Sequence, residues 1–245
     1  MIESLRNKFV KERFDLQEIL LVPVFATVLA LLIGCFFLLA TGESFANIFV
    51  AYSSLFIGSL GSLNAISETF TAATPLVFAA LGIALAFRAG LFNIGAEGQM
   101  IIGGLATVIV GFSIDFLPIW IHLPLALSIG ALFGALYAAI AGWLKAYTGA
   151  HEVISTIMLN LIALRLLDYV LRSPIIQKEG RNDPISKSIL DSAELPQILA
   201  FIDPQLRLHG GFLLMLVAVF FIYWLLFHTT IGYEFRATGA NPNAA

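Results

Sequence analysis

Residues 81–104, LGIALAFRAGLFNIGAEGQMIIGG, set Arg88, Asn93, Glu97 and Gln99 between two long apolar runs. Hydrocarbon offers no hydrogen bonds to free backbone groups. A helix broken by Gly90, Gly95 and Gly98 therefore persists in a bilayer only where protein or a water-filled cavity covers it. Ionisable side chains in such a place are costly and mark the routes taken by solutes or ions. The segment predicts a polytopic transmembrane helical bundle, all-α, with a broken helix near 88–99 whose polar groups line a route across the membrane.

Composition carries the same implication. Of 245 residues, 59% are hydrophobic and 12% charged, and the mean hydropathy of +0.93 exceeds what a water-soluble domain of this length sustains. The net charge of -3 comes without a basic cluster suited to nucleic acid. The single Cys35 lies in an apolar run, so one chain can build neither a disulfide nor a thiolate metal site.

Uncharged stretches set the crossings. Residues 19–41 form the cleanest, with Pro23 near its start, where a missing N–H costs least. About 20 apolar residues suffice to cross, and no small-residue cleavage site follows closely enough to favour a signal peptide. Residues 69–87, 98–114, 116–144, 153–171 and 208–233 bring the expected number to six. Residues 44–67 are also uncharged, but ten of the twenty-four are Ser, Asn or Gly, which favours an interfacial or re-entrant segment.

Arg6, Lys8, Lys11 and Arg13 precede the first span, whereas residues 41–70 hold Glu43 and Glu68 and no Lys or Arg. The bias of basic residues toward the cytoplasm then predicts a cytoplasmic segment 1–18 and a membrane domain over 19–233. Arg88, Lys145, Glu234 and Arg236 fall inside and a loop over 172–207 outside. That loop has five basic and five acidic residues with four prolines, and long loops translocate largely regardless of charge.

Ala126, Gly130, Gly134, Ala138 and Gly142 recur every four residues, a small-residue stripe that lets a neighbouring helix approach within one subunit. Glu152, Ser155, Thr156 and Asn160 share a helical face toward the bundle interior. An amide in lipid needs a partner, which makes Asn160 the stronger candidate for a solute contact. His151-Glu152 resembles the opening of a zinc-protease helix, but position 155 holds Ser where a second His is required. Arg165 and Asp168, three apart, are expected to neutralise each other. Phe87 and Phe92 place two aromatic faces beside the break.

FRAGLFNIGAEGQ at 87–99, GAHEVISTIMLN at 149–160 and RATGANPNAA at 236–245 resemble the membrane permeases of bacterial ABC importers. The branch is the one that takes up nucleosides and related small, ribose-type sugar-containing solutes, and the resemblance covers nearly the whole chain. It implies a multi-pass protein of the bacterial inner membrane. Implied partners are a separate ABC ATPase that binds ATP and Mg, a second permease subunit, identical or related, and an extracytoplasmic solute-binding protein. No cofactor is expected on this chain, no catalytic residue, and no metal site. The absence of GxxxxGK[ST] agrees with ATP hydrolysis residing elsewhere.

Residue by residue, Glu234, Arg236, Ala237, Gly239, Asn241, Pro242, Ala244 and Ala245 match the family's coupling loop, whose short helix docks on the ATPase. GANP itself favours a turn and a new helix start, with Asn241 as cap and Pro242 in the first turn. The resemblance makes Phe92, Asn93, Glu97, Gln99 and Asn160 the expected substrate pathway. Family members continue beyond the point matching Ala245, so the chain is expected to be part of a longer permease, with 234–245 the start of its coupling loop. A self-sufficient, ion-coupled secondary transporter using Glu97 is the alternative. An intramembrane enzyme is disfavoured by the lack of a nucleophile–base pair.

Overall fold

The computed structural model describes residues 16–241 and divides into two compact units, residues 1–65 and 66–245. In the first, α1 spans Leu16–Ala40 and α2 spans Phe45–Leu60. Ser44 caps α2 by accepting from the Asn47 N–H, and the Tyr52 hydroxyl donates to the Leu31 carbonyl at 2.7 Å. Helix α1 begins inside the segment expected to be cytoplasmic, and the four basic residues of that segment lie outside the described residues. The 44–67 stretch contains a 16-residue helix about 24 Å long, short of a hydrocarbon core of about 30 Å.

Helix α3, Leu63–Arg88, belongs to the second unit from Ile66 onward. It is followed by α4 (Ala96–Ser113), α5 (Ile119–Thr148), α6 (Glu152–Leu171), α7 (Gly211–His228) and α8 (Thr230–Ala240). Among the described residues no strand forms, and two isolated antiparallel bridges, Gln177 with Ser186 and Gln197 with His209, are the only β pairing. Among the described residues six helices, α1 and α3 to α7, are long and apolar enough to cross a membrane. The protein is a multi-pass membrane protein built as an all-α bundle.

Its packing inverts that of a soluble protein. Large apolar side chains face outward, with Trp120 85% and Phe220 72% exposed, while Ala126 and Ala163 are almost wholly buried. Hydrocarbon solvates Trp and Phe as well as a protein core does, so helices gain by bringing small residues together. Helix α4 meets α5 backbone to backbone: a Cβ on Gly103 would stand 2.8 Å from the Gly130 carbonyl, and one on Gly134 3.2 Å from the Gln99 carbonyl. Ala126, Gly130 and Gly134 of the small-residue stripe therefore serve packing within the subunit. Ala138 and Gly142 border a cavity with Lys145 and Glu152.

Two boundaries differ from the sequence expectation. The last span, expected over 208–233, ends at His228, and Thr229 starts α8 by accepting from the Gly232 N–H at 3.1 Å. Helix α8 then continues through Gly239 to Ala240, and the Asn241 N–H bonds back to the Ala237 carbonyl. The GAN segment is thus the last turn of a helix where a turn was expected, because Gly232 and Thr229 have already made the corner. Asn241 is the C-terminal cap of that helix, and Pro242, Ala244 and Ala245 lie outside the described residues.

The 172–207 segment is folded. Ile176, Ala193 and Leu206 are buried, as is Leu208 just beyond it, and Asp191–Ala193 form a 3-10 turn. Its end is tied to α3 where the Leu208 N–H donates to the Ser67 hydroxyl at 3.0 Å. At its centre lies His122 of α5, fully buried, with Nε2 3.0 Å from the Val110 carbonyl and Nδ1 2.7 Å from the Ser192 hydroxyl. A carbonyl only accepts, so Nε2 carries a proton, and in the neutral ring Nδ1 then accepts from the Ser192 hydroxyl.

Candidate functional site

Helix α3 has 26 residues, about 39 Å at 1.5 Å each, enough to cross alone. The break that follows, residues 89–95, consequently sits at an end of the bundle. A break in the middle of the bilayer is not what this length provides. Lys145 and Glu152, at the α5–α6 corner, are at the same end and border one cavity with Phe92 and Asn93. Gly90 reverses the chain with φ +77°, a conformation that suits glycine.

The link is held by side chains of α6 and by its own. The Ile94 N–H donates to the Thr156 hydroxyl at 3.3 Å, and the Asn160 amide nitrogen donates to the Ile94 carbonyl at 2.9 Å. The Asn160 amide oxygen accepts from the Gly98 N–H, also at 2.9 Å. Asn93 turns its oxygen back to the Gly95 N–H at 2.8 Å and to the Gln99 amide nitrogen at 3.2 Å. Gly98 is required here, since a Cβ would stand 2.9 Å from the Asn160 oxygen. Ile94 and Gly98 are paired by one amide because the turn between them leaves both groups free at the start of α4.

Asn93, Gln99 and Asn160 therefore come together in one hydrogen-bonded clasp, to which Thr156 belongs as well. Interhelical hydrogen bonds in membranes contribute about 0.6–2 kcal/mol each, so the two that link α6 to the break and the one to the first turn of α4 hold it firmly yet exchangeably. Glu97 is not part of the clasp: it is exposed on the first turn of α4. Phe92 is exposed and its ring packs on Phe87, centroids 4.8 Å apart, so these rings face each other. Ser155 bonds back to the Glu152 carbonyl, and Glu152 pairs with Lys145 at 2.6 Å. Asp168 pairs with Arg172 at 3.1 Å, not with Arg165 as expected. Four residues apart on a helix suits that pair as well as three.

Beside the clasp, an open groove of about 490 Å³ runs between α3 and the α4–α5 pair. Pro75, Phe78 and Gly82 of α3, Gln99 and Thr107 of α4 and Gly134 of α5 are on its wall. Gln99 thus joins the cavity at one side and the clasp at the other. The glycines keep its walls open, and Phe78 supplies an aromatic face.

At the clasp end, α8 returns to the break. The Gly239 Cα would be 3.1 Å from a Cβ on Gly90. The Arg88 and Arg236 guanidinium groups both stand over the Phe227 ring, 5.9 and 5.2 Å from its centre. Of the coupling-loop candidates, Arg236 and Gly239 are thereby placed against α7 and the break, while Glu234 is exposed.

Residues 65–245 match the family of branched-chain amino acid transport system permease components. The chain belongs to that family. This permease is 40% identical over 227 residues to the guanosine ABC transporter permease protein NupP of Bacillus subtilis, covering 92% of this chain and 63% of that one. It is 33% identical over 228 residues to the nucleoside ABC transporter permease protein NupB of Lactococcus lactis, covering 92% and 62%. The glucose ABC transporter permease protein TsgB13 of Haloferax volcanii is also 33% identical, over 229 residues, with 91% and 59% covered. The permease therefore spans about three fifths of the length of these relatives. No solved structure matches it.

Two features escaped the sequence reading. Thr156 shares its polar face with Glu152, Ser155 and Asn160, but its bond to Ile94 crosses sixty-two positions. His122 left no signal: a lone histidine in IWIHLPL has partners visible only once the 172–207 segment is folded over it.

Proposed function

We propose that this permease is the membrane subunit of an ATP-driven ABC importer for nucleosides or related sugar-containing solutes. A separate ATPase, with its ATP and Mg, drives alternating access; an extracytoplasmic binding protein delivers solute, and a second permease subunit completes the pore. The location is the bacterial inner membrane, with the N-terminus and the clasp end cytoplasmic. The observation that carries this reading is the meeting, at one end of the bundle, of the coupling segment with a clasp that bounds a polar-edged cavity. The likeness to guanosine and nucleoside permeases favours nucleosides among the solutes.

The cavity is the chamber for the solute, and the clasp is its cytoplasmic gate. Asn93, Gln99 and Asn160 are occupied with one another and with backbone when the gate is shut; opening it frees their amides to meet ribose hydroxyls and base edges in turn. Glu97, which an ion-coupled carrier would need, is exposed outside the clasp, and this favours the ATP-driven route. The test is uptake of labelled guanosine, inosine, ribose and glucose by cells expressing the permease with its ATPase and binding protein. Guanosine uptake should stop when the ATPase is inactivated while the proton gradient is maintained. Uptake that survives without the ATPase and collapses with the gradient would overturn the reading.

A further inference from the structure

Gly239 rests on the peptide that runs from Arg88 to Gly90: a Cβ added to it would overlap the Arg88 carbonyl oxygen and stand 2.9 Å from the Gly90 nitrogen. A Cβ added to Gly90 would in turn meet the Gly239 Cα at 3.1 Å. Backbone therefore bears on backbone, with no side chain between. A side chain can absorb a displacement by changing rotamer, whereas two close-packed main chains cannot. The Phe227 ring, with Arg88 and Arg236 over it, ties the ends of α3 and α7 to α8 beside this contact. Four residues beyond Gly90 lies Ile94, whose N–H and carbonyl are held by Thr156 and Asn160.

Resting on the importer reading above, we propose that Gly239 and Gly90 are the transmission point of the cycle. Movement of α8 by the ATPase is delivered as a backbone push on residues 88–90, and the 89–95 link pulls Ile94 off, or returns it to, Thr156 and Asn160. Gly239 and Gly90 are positioning residues: they act on the gate through the link and do not touch solute. The coupling segment thus opens the clasp from its own end, and the helices α4 and α6 need not move as a whole for the gate to release.

The experiment uses the complete permease with its ATPase and binding protein in liposomes, and compares wild type with Gly239→Ala and with Gly58→Ala. The second is a control in α2, where an added Cβ meets nothing within 4 Å. ATP hydrolysis and labelled guanosine uptake are measured together. Gly239→Ala should hydrolyse ATP and transport roughly ten-fold fewer solute molecules per ATP, with Gly58→Ala like wild type. A wild-type ratio of transport to hydrolysis in Gly239→Ala overturns the proposal.

A second measurement does not depend on that variant's folding. In a cysteine-free background of the complete permease carrying Ala89→Cys, the rate of thiol modification is compared between the nucleotide-free and vanadate-trapped transporter. The rate should differ several-fold between the states, and equal rates overturn the proposal. Failure of the importer reading has a separate sign: wild-type uptake would then be indifferent to the ATPase subunit.

Discussion

The two ends of the second unit are closed by different chemistry. At one end the 172–207 segment covers the helices through buried side chains: Leu206 and Leu208, the Ser67 hydroxyl under a loop N–H, and His122 wholly enclosed between α4 and the 3-10 turn. At the other end the 89–95 link is held mainly by amides and a hydroxyl on backbone groups, with exposed Phe92 beside it. Burial is lost all at once and is hard to exchange, whereas hydrogen bonds can be traded for bonds to water or to a solute at small net cost. The first end is built as a fixed cap and the second as a gate.

The largest expected effect falls on the cap. His122→Ala removes a buried ring and strands the Val110 carbonyl and Ser192 hydroxyl, which should lower stability by about 3 kcal/mol. Thermal unfolding in detergent, together with protease cleavage within 172–207, measures this. A cap that stays protected in the variant would break the comparison, because the burial assigned to His122 would then not be holding it.

Next comes the clasp. Asn160→Ala leaves the Gly98 N–H and the Ile94 carbonyl without their side-chain partner and should lower stability by about 2 kcal/mol. Uptake should fall more steeply than stability, since the gate no longer shuts. Thr156→Val removes one weaker bond at 3.3 Å and should cost about 1 kcal/mol, with a proportionately milder uptake defect. If Thr156→Val proved the more damaging, the hydrogen-bond account of the clasp would give way to one based on packing.

The smallest effect concerns the surface of the cap. The Arg181 guanidinium hydrogen-bonds Asp183 and holds its carboxyl below the usual carboxylate range. A carboxyl shifted downward by folding stabilises the folded state above its unfolded pKa. That contribution is lost as pH falls through the folded value. Both side chains are about half exposed and screened by solvent, so Asp183→Asn should leave cap protection unchanged at neutral pH within measurement, and any difference from wild type should vanish on acidification. A large effect at neutral pH would mean that exposed charge, and not burial, fixes the cap.

The six crossings were legible because hydrophobic length is a direct physical requirement of the bilayer; 153–171 was expected and Glu152–Leu171 observed. So was the interruption after Arg88. Its depth was not, because residues 63–68, which extend α3 to 26 residues, carry Asn64, Ser67 and Glu68 and do not continue the apolar run on composition alone. The Arg165–Asp168 expectation failed for a related reason: spacing permits two partners for Asp168, and the choice between them depends on side-chain direction. Within the candidate site, Asn160 was recognisable as an amide in need of a partner, but its partner lay sixty-six positions away in the break. Gly239 was named from its motif, whereas its seat on Arg88 and Gly90 could come only from the packed helices.

The two ends can be stapled and compared in one experiment. A Cβ on Gly111 stands 3.5 Å from the Ala193 Cβ, at the short end of the Cβ separation of a disulfide, and one on Gly95 stands 3.1 Å from the Thr156 Cβ, so that pair must open by a few tenths of an ångström to be bridged. In a cysteine-free background of the complete permease, Gly95→Cys/Thr156→Cys would lock the clasp and Gly111→Cys/Ala193→Cys the cap. Guanosine uptake is measured before oxidation, after it, and after reduction again. The account predicts that oxidation abolishes uptake in the clasp pair, that reduction restores it, and that the cap pair transports alike in both states. Undiminished uptake through an oxidised clasp would contradict it.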